Sequence, residues 1–142
     1  MNQGIITRVM VVDDDPVSNK ITRLFLRKNN WPAEVMVFED GQEALRVLGE
    51  SFSGDAQSTP DVILLDMDMP VFSGWDFMEE YSSLPSELTG KPLLYMVSSS
   101  INPPDMKRAG DYPLIRAYIT KPLTPQALDQ ILVDYHSRTP KA

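Results

Sequence analysis

Short apolar runs alternate along this chain with stretches whose apolar residues recur at three- and four-residue spacing. Arg8–Val12 is a β-rich run that ends in acids. Asp15 is placed to cap the following helix, with Pro16 at its first position, where a missing N–H costs nothing. Val17, Ile21, Leu24 and Phe25 then share one helical face. Val35–Phe38 reads as a second strand. Asp40 and Glu43 form a capping pair, and Ala44, Leu45 and Leu48 continue as a helix. Gly49–Pro60 reads as a loop rather than a domain linker, because the pattern resumes at once.

Val62–Leu65 is a continuous apolar run, the signature of a strand buried on both faces, and it ends at Asp66. Gly74–Tyr81 reads as a short helix. Leu93–Val97 is a fourth strand, followed by Ser98, Ser99 and Ser100. Asn102 is placed to cap a short helix that opens with Pro103. Ala117–Thr120 is a fifth strand, directly before Lys121-Pro122. Thr124 and Pro125 open the last helix, whose Leu128, Ile131, Leu132 and Tyr135 form the cleanest apolar stripe in the chain. Residues 137–142 read as a frayed tail.

Five strands alternating with five helices predict an α/β fold, a five-stranded parallel sheet with helices on both faces. Crossovers in such sheets are right-handed. Ligands bind beyond the carboxyl ends of the strands, where the strand order reverses. Functional residues should therefore cluster just after strands, however far apart they lie in sequence. Asp13 and Asp14 follow the first strand, Asp66 the third, Ser98 the fourth and Lys121 the fifth. Neither a Walker loop nor a dinucleotide fingerprint is present.

Composition narrows the picture. A chain of 142 residues suits a single domain, with a core of about residues 8–136. At 42% hydrophobic and 23% charged it has the make-up of a folded globular protein. The net charge of −7 gives no electrostatic footprint for nucleic acid or an anionic membrane. It fits either plain solubility or acids gathered around a cation. The absence of cysteine removes disulfides, thiolate catalysis and zinc–thiolate sites. Val9–Val12 is too short for a signal-peptide core or a membrane span, so a cytoplasmic location is the default.

Carboxylates a few ångströms apart repel one another and need protons or a cation. Mg²⁺ suits them, because it binds carboxylate oxygens and accepts phosphate oxygens. An aspartate is a weak nucleophile that can form an acyl phosphate, and a metal and a lysine draw charge from a transferring phosphoryl group. Asp66 is the best nucleophile, since it ends the central, most buried strand. Asp13 and Asp14 suit the metal and Lys121 a phosphoryl oxygen. Taken singly, an Asp run, a Ser run or a Lys-Pro is an ordinary turn feature. Their joint order at four strand ends is what points to chemistry.

Val11–Pro16, Leu64–Pro70, Gly74, Val97–Ser99 and Lys121–Leu123 resemble the receiver domains of bacterial response regulators. The resemblance runs from about Arg8 to Tyr135. It implies a CheY-like, flavodoxin-like doubly wound (βα)5 fold and a single receiver domain without an output domain. Asp66 would be the phosphoacceptor. Asp14 would bind Mg²⁺ directly, Asp13 through water, and Asp68 through its backbone carbonyl. Ser98 would hydrogen-bond the phosphoryl group and Lys121 would pair with one of its oxygens. Tyr118 falls where the family carries a switch aromatic, which turns into the space that Ser98 vacates; read from the residues alone it is equally a half-buried tyrosine of the strand. The chain would then be a signalling phosphoacceptor that assists its own phosphorylation and dephosphorylation. Its donor would be a sensor histidine kinase or a histidine phosphotransfer protein. The downstream target is not encoded, and a homodimer through the face of the last strand and its two flanking helices is left open, as is excision from a longer protein.

Besides a Gly49–Pro60 loop longer than is typical of the family, three features depart from its pattern. Asp68 adds a carboxylate two residues after the acceptor, the helix opening at Pro103-Pro104 is short, and Ala109–Leu114 lacks the usual small residues before the fifth strand. Two rival readings stand beside the main one. A haloacid-dehalogenase-like phosphatase would use Asp66 and Asp68, but it requires an acidic pair after the lysine. A degenerate receiver would only dock, and the complete set of Asp13, Asp14, Asp66, Ser98 and Lys121 argues against it. His136 is expected to be exposed, Trp31 and Trp75 to serve packing or surface, and the methionines to fill the core.

Overall fold

The computed structural model describes residues 6–31, 34–53 and 59–138. The elements run β1 (Arg8–Val12), α1 (Pro16–Lys28), β2 (Glu34–Phe38), α2 (Gly41–Ser53), β3 (Val62–Asp66), α3 (Gly74–Tyr81), α4 (Ser86–Thr89), β4 (Leu93–Ser98), α5 (Pro103–Gly110), β5 (Ile115–Thr120) and α6 (Pro125–Arg138). All five strands are parallel, in the order β2-β1-β3-β4-β5, the flavodoxin-like order. The order reverses between β1 and β3, so their carboxyl ends form the crevice where a ligand belongs.

Side chains alternate across the three inner strands and fill two layers. Met10, Val12, Ile63, Leu65, Leu94 and Met96 face α2, α3 and α5. Val9, Val11, Val62, Leu64, Tyr95 and Val97 face α1 and α6. Every residue of β3 is buried, which explains its unbroken apolar run. Among the methionines, Met10, Met67, Met69, Met78 and Met96 lie in the core as expected, and Met106 does not.

Several expectations are corrected. The helical face of Val17, Ile21 and Leu24 points to solvent, at 67%, 58% and 51% exposure. The inward face of α1 is instead Asn19 and Leu26, with Phe25 half-buried. Residues 49–53 continue α2 rather than opening a loop, residues 54–58 lie outside the described residues, and Thr59 and Pro60 are buried. Ser137 and Arg138 end α6, while 139–142 of the expected tail lie outside the described residues. The one-turn α4 is an addition, capped by no side chain. The β5 strand begins at Ile115, two residues early. His136 is half-buried beside the Tyr135 ring. The tryptophans, by contrast, pack as expected: Trp31 is in the core, and Trp75 stacks on Tyr112 with the Arg108 guanidinium 4.5 Å from its ring centre.

The helix ends follow local chemistry. Asp15 Oδ1 accepts from the Val17 N–H at 3.0 Å, as expected of a cap. At the far end of α1, Asn30 takes the left-handed region (φ 62°), and the Trp31 N–H reaches back to the Leu26 carbonyl. That turn delivers Trp31 into the core. Asp40 caps α2 by accepting from the Gln42 N–H, but Glu43 pairs forward with Arg46 rather than closing a capping box. Thr124 caps α6 through its hydroxyl, which accepts from the Ala127 N–H. Asn102 sits at the N-cap of α5 without a side-chain bond; Ser100 bonds there in its place, accepting from the Asn102 N–H and donating to Asp105.

Candidate functional site

Asp13, Asp14, Asp66, Ser98 and Lys121 meet at the carboxyl end of the sheet. Asp13, Asp14 and Asp66 each offer an oxygen, and those oxygens lie within 4.8 Å of one another. Asp66 is buried at the end of β3. Gly74 allows this: a Cβ there would stand 2.8 Å from the Asp66 carbonyl oxygen and 2.9 Å from the Met67 Cα. The start of α3 therefore packs directly on the backbone that carries Asp66.

Asp13 is fixed on all sides. Its Oδ1 accepts from the Asp15 N–H at 3.0 Å, and its Oδ2 from the Ser18 hydroxyl at 2.8 Å. The Asn19 amide donates to the Asp13 carbonyl at 2.8 Å. Lys121 Nζ lies 2.9 Å from Asp13 Oδ2, 3.3 Å from Asp66 Oδ1 and 3.2 Å from the Ser18 hydroxyl. Its backbone N–H donates to the Ser98 carbonyl at 2.8 Å, so β4 and β5 deliver Ser98 and Lys121 to adjoining positions. The Lys121-Pro122 peptide is cis.

Ser98 is fully buried. Its hydroxyl donates to Asp68 Oδ2 at 3.2 Å and accepts from the Ser100 N–H at 3.0 Å. The Asp68 carboxylate thus faces Ser98, while the side chain is otherwise exposed. Tyr118 is half-buried, and its hydroxyl donates to the Ser100 carbonyl at 2.8 Å.

Burial pushes the Asp66 carboxyl up to about 6, with the negative charge of Asp13 adding to the effect and Asp68 adding less; the Lys121 ammonium pulls the other way. At Lys121, burial works against the charged form, but the bonds and charges of Asp13 and Asp66 outweigh it and hold the ammonium above its ordinary value. The single ammonium does not neutralise the three gathered carboxylates. Oxygen donors this close, with this excess of negative charge, fit a hard divalent cation such as Mg²⁺.

Sequence reading missed Ser18 and Asn19. They stand five and six residues after Asp13, where α1 comes back over the end of β1. The available signal was a pair of short polar residues in the first turn of the helix, directly after the acidic run. Beside them a groove of about 540 Å³ runs from Lys121 along Ser18, Ile21, Phe25, Pro122 and Leu123.

The acids that a dehalogenase-like phosphatase would need after the lysine are elsewhere. Asp129 is exposed on α6. Asp134 is engaged by the Tyr95 hydroxyl at 2.7 Å and by Arg116 at 3.1 Å. Neither reaches the site, and the phosphatase reading finds no support.

The sequence matches the family described as the response regulator receiver domain over residues 9–133. A two-component response regulator of Oryza sativa subsp. japonica is 32% identical over 101 residues, covering 70% of this chain and 42% of that protein. The hybrid signal transduction histidine kinase C of Dictyostelium discoideum is 26% identical, over 89% of this chain and 10% of the kinase. The chain thus spans less than half the length of these relatives. The crystal structure of a response regulator receiver protein from Dyadobacter fermentans superposes with a TM-score of 0.80 at 30% identity, covering 91% of this chain and 97% of that one.

Proposed function

The chain belongs to the response regulator receiver domain family, and on that premise we propose that Asp66 is the residue on which it accepts a phosphoryl group. The family acts in two-component and phosphorelay signalling as a phosphoacceptor supplied by histidine kinases, not as a turnover enzyme. The observation that carries the assignment is the buried Asp66 carboxylate, with Lys121 at 3.3 Å and two further acids beside it.

The residues divide the work. With its proton leaving at about pH 6, Asp66 is largely ionised at neutral pH and available as the nucleophile. Transfer from a phosphohistidine breaks the donor's N–P bond and forms an O–P bond to Asp66, and the imidazole nitrogen departs. Lys121 moves its charge from the Asp13–Asp66 pair onto a phosphoryl oxygen. Asp13, Asp14, Asp66 and the backbone carbonyl of Asp68 are the groups that would hold Mg²⁺. Mg²⁺, when bound, neutralises these acids and draws charge from the transferring group. Ser98 donates its hydroxyl proton to the phosphoryl group. Tyr118, tied to the carbonyl of Ser100, two residues after Ser98, feels that movement and passes it to the surface of α5, β5 and α6.

The donor is a sensor histidine kinase or a histidine phosphotransfer protein, and this reading keeps the protein in the cytoplasm with them. Val17 and Ile21 support it, because they expose apolar surface along the groove that opens at Lys121. Ile101 and Val133, exposed on the α5–β5–α6 side, suit a target protein or a second copy of the chain. No helix among the described residues is long and apolar enough to cross a membrane.

The test is transfer from a phosphorylated histidine phosphotransfer protein to the wild type, with and without a chelator. The expected result is one phosphoryl group per chain, lost with chelation. Undiminished transfer in the chelator would contradict the Mg²⁺ assignment. Sustained release of phosphate from small esters would contradict the phosphoacceptor reading as a whole.

A further inference from the structure

Ser98 and Asp68 hold one another in a way that the proposed chemistry has to undo. We propose that Asp68 is a positioning residue that latches Ser98 in the unphosphorylated state, so that a phosphoryl group on Asp66 must take the Ser98 proton from it. The inference rests on the phosphoacceptor reading and adds a brake to it.

A serine hydroxyl has one proton to donate. In this structure that proton goes to Asp68 Oδ2, at 3.2 Å. The Ser98 hydroxyl oxygen itself already accepts from the Ser100 N–H at 3.0 Å. Ser98 is fully buried, so no water stands ready to replace a lost partner. Its hydroxyl cannot donate to Asp68 and to a phosphoryl oxygen at the same time. One bond is exchanged for the other when Asp66 is modified.

The residue type matters. An ionised carboxylate only accepts hydrogen bonds. Asp68 can hold the Ser98 proton but can offer nothing to an incoming phosphoryl group, whereas an amide at the same place could donate to it. The backbone supports this placement. Met67 and Met69, on either side of Asp68, are buried in the core, and the Met69 N–H donates to the Met67 carbonyl at 3.2 Å. The carboxylate is thereby presented to Ser98 by a loop that is anchored at both neighbours.

Asp68 also opposes the phosphoryl group simply by its charge, and a double-mutant cycle separates that effect from the latch. The readout is equilibrium binding of trifluoroberyllate, a non-hydrolysable stand-in for the phosphoryl group. It is measured by calorimetry with Mg²⁺ on wild type, Asp68→Ala, Ser98→Ala and the double variant. Asp68→Ala should tighten binding on the order of fivefold while Ser98 is present, the worth of one hydrogen bond of about 1 kcal/mol. In the Ser98→Ala background the same change should give less than a twofold gain. An equal gain in both backgrounds, or none in the first, would overturn the latch while leaving the phosphoacceptor reading intact. Binding absent from the wild type and every variant would overturn that reading, and the latch with it.

Discussion

Two buried aspartates bracket β3, one just before its first residue and one at its last, and they are held in opposite ways. Asp61 Oδ2 accepts from the Thr7 N–H at 2.8 Å, the Thr7 hydroxyl at 3.1 Å and the Arg8 N–H at 3.2 Å, and Lys91 stands 3.9 Å away. Its backbone also joins β1 and β4, donating to the Arg8 carbonyl and accepting from the Leu93 N–H. Among the described residues, Asp66 has no such set of neutral donors. Its surroundings are Asp13, Asp14 and a lysine it shares with Asp13. The same side chain is a staple before the start of β3 and a poised, poorly neutralised nucleophile at its end. The structure satisfies a carboxylate that holds the fold together. It leaves unsatisfied the one that awaits a cation and a phosphoryl group.

Mutation should separate the two ends. Asp61→Ala strips one acceptor from two backbone donors and a hydroxyl at once, and should cost about 3 kcal/mol in urea unfolding. The folded variant should still take up a phosphoryl group. A loss below about 1 kcal/mol would erase the contrast.

Asp66→Asn should do the reverse and raise stability by about 2 kcal/mol near pH 8. The sign follows from the raised folded-state pKa of about 6. The folded protein binds the Asp66 proton more tightly than the unfolded chain. Stability from this group is complete below the unfolded value of about 4 and is lost as pH rises through about 6. The gain from Asn should therefore fade as unfolding is measured toward about pH 4. A gain independent of pH would mean that charge burial is not its cause.

A smaller effect is expected from the cation. Mg²⁺ at ten times its dissociation constant should stabilise the wild type by about 1.4 kcal/mol, read as a rise in Tm. Asp66→Asn and Asp14→Asn should lose most of that rise, and Asp61→Ala should keep it. If Asp61→Ala lost it equally, the two ends would not be independent.

This contrast also shows what can be read from sequence. Asp66 was legible because it ends a continuous apolar run and its partners each follow a strand of their own. Asp61 was not, although it lies at the other end of the same run. Its partners are backbone N–H groups 54 and 53 residues earlier, and only the register of β1 against β3 brings them near. The same limit hid Ser18 and Asn19, whose value comes from where α1 crosses the end of β1. On that helix the apolar periodicity marked the outer face, because the inner face near the site carries Asn19 against the Asp13 carbonyl. The parallel sheet and most element limits were legible, since each strand had its own run and each long helix a cap. The latch between Asp68 and Ser98 joins residues 30 apart on neighbouring strand ends, and only the fold supplies that contact.

The most direct test of the central claim is intact-mass measurement after exposure to a small phosphodonor with Mg²⁺, comparing wild type with Asp66→Asn. The prediction is a single, base-labile phosphoryl group on the wild type and none on the variant. Equal labelling of both would place the acceptor elsewhere and contradict the account.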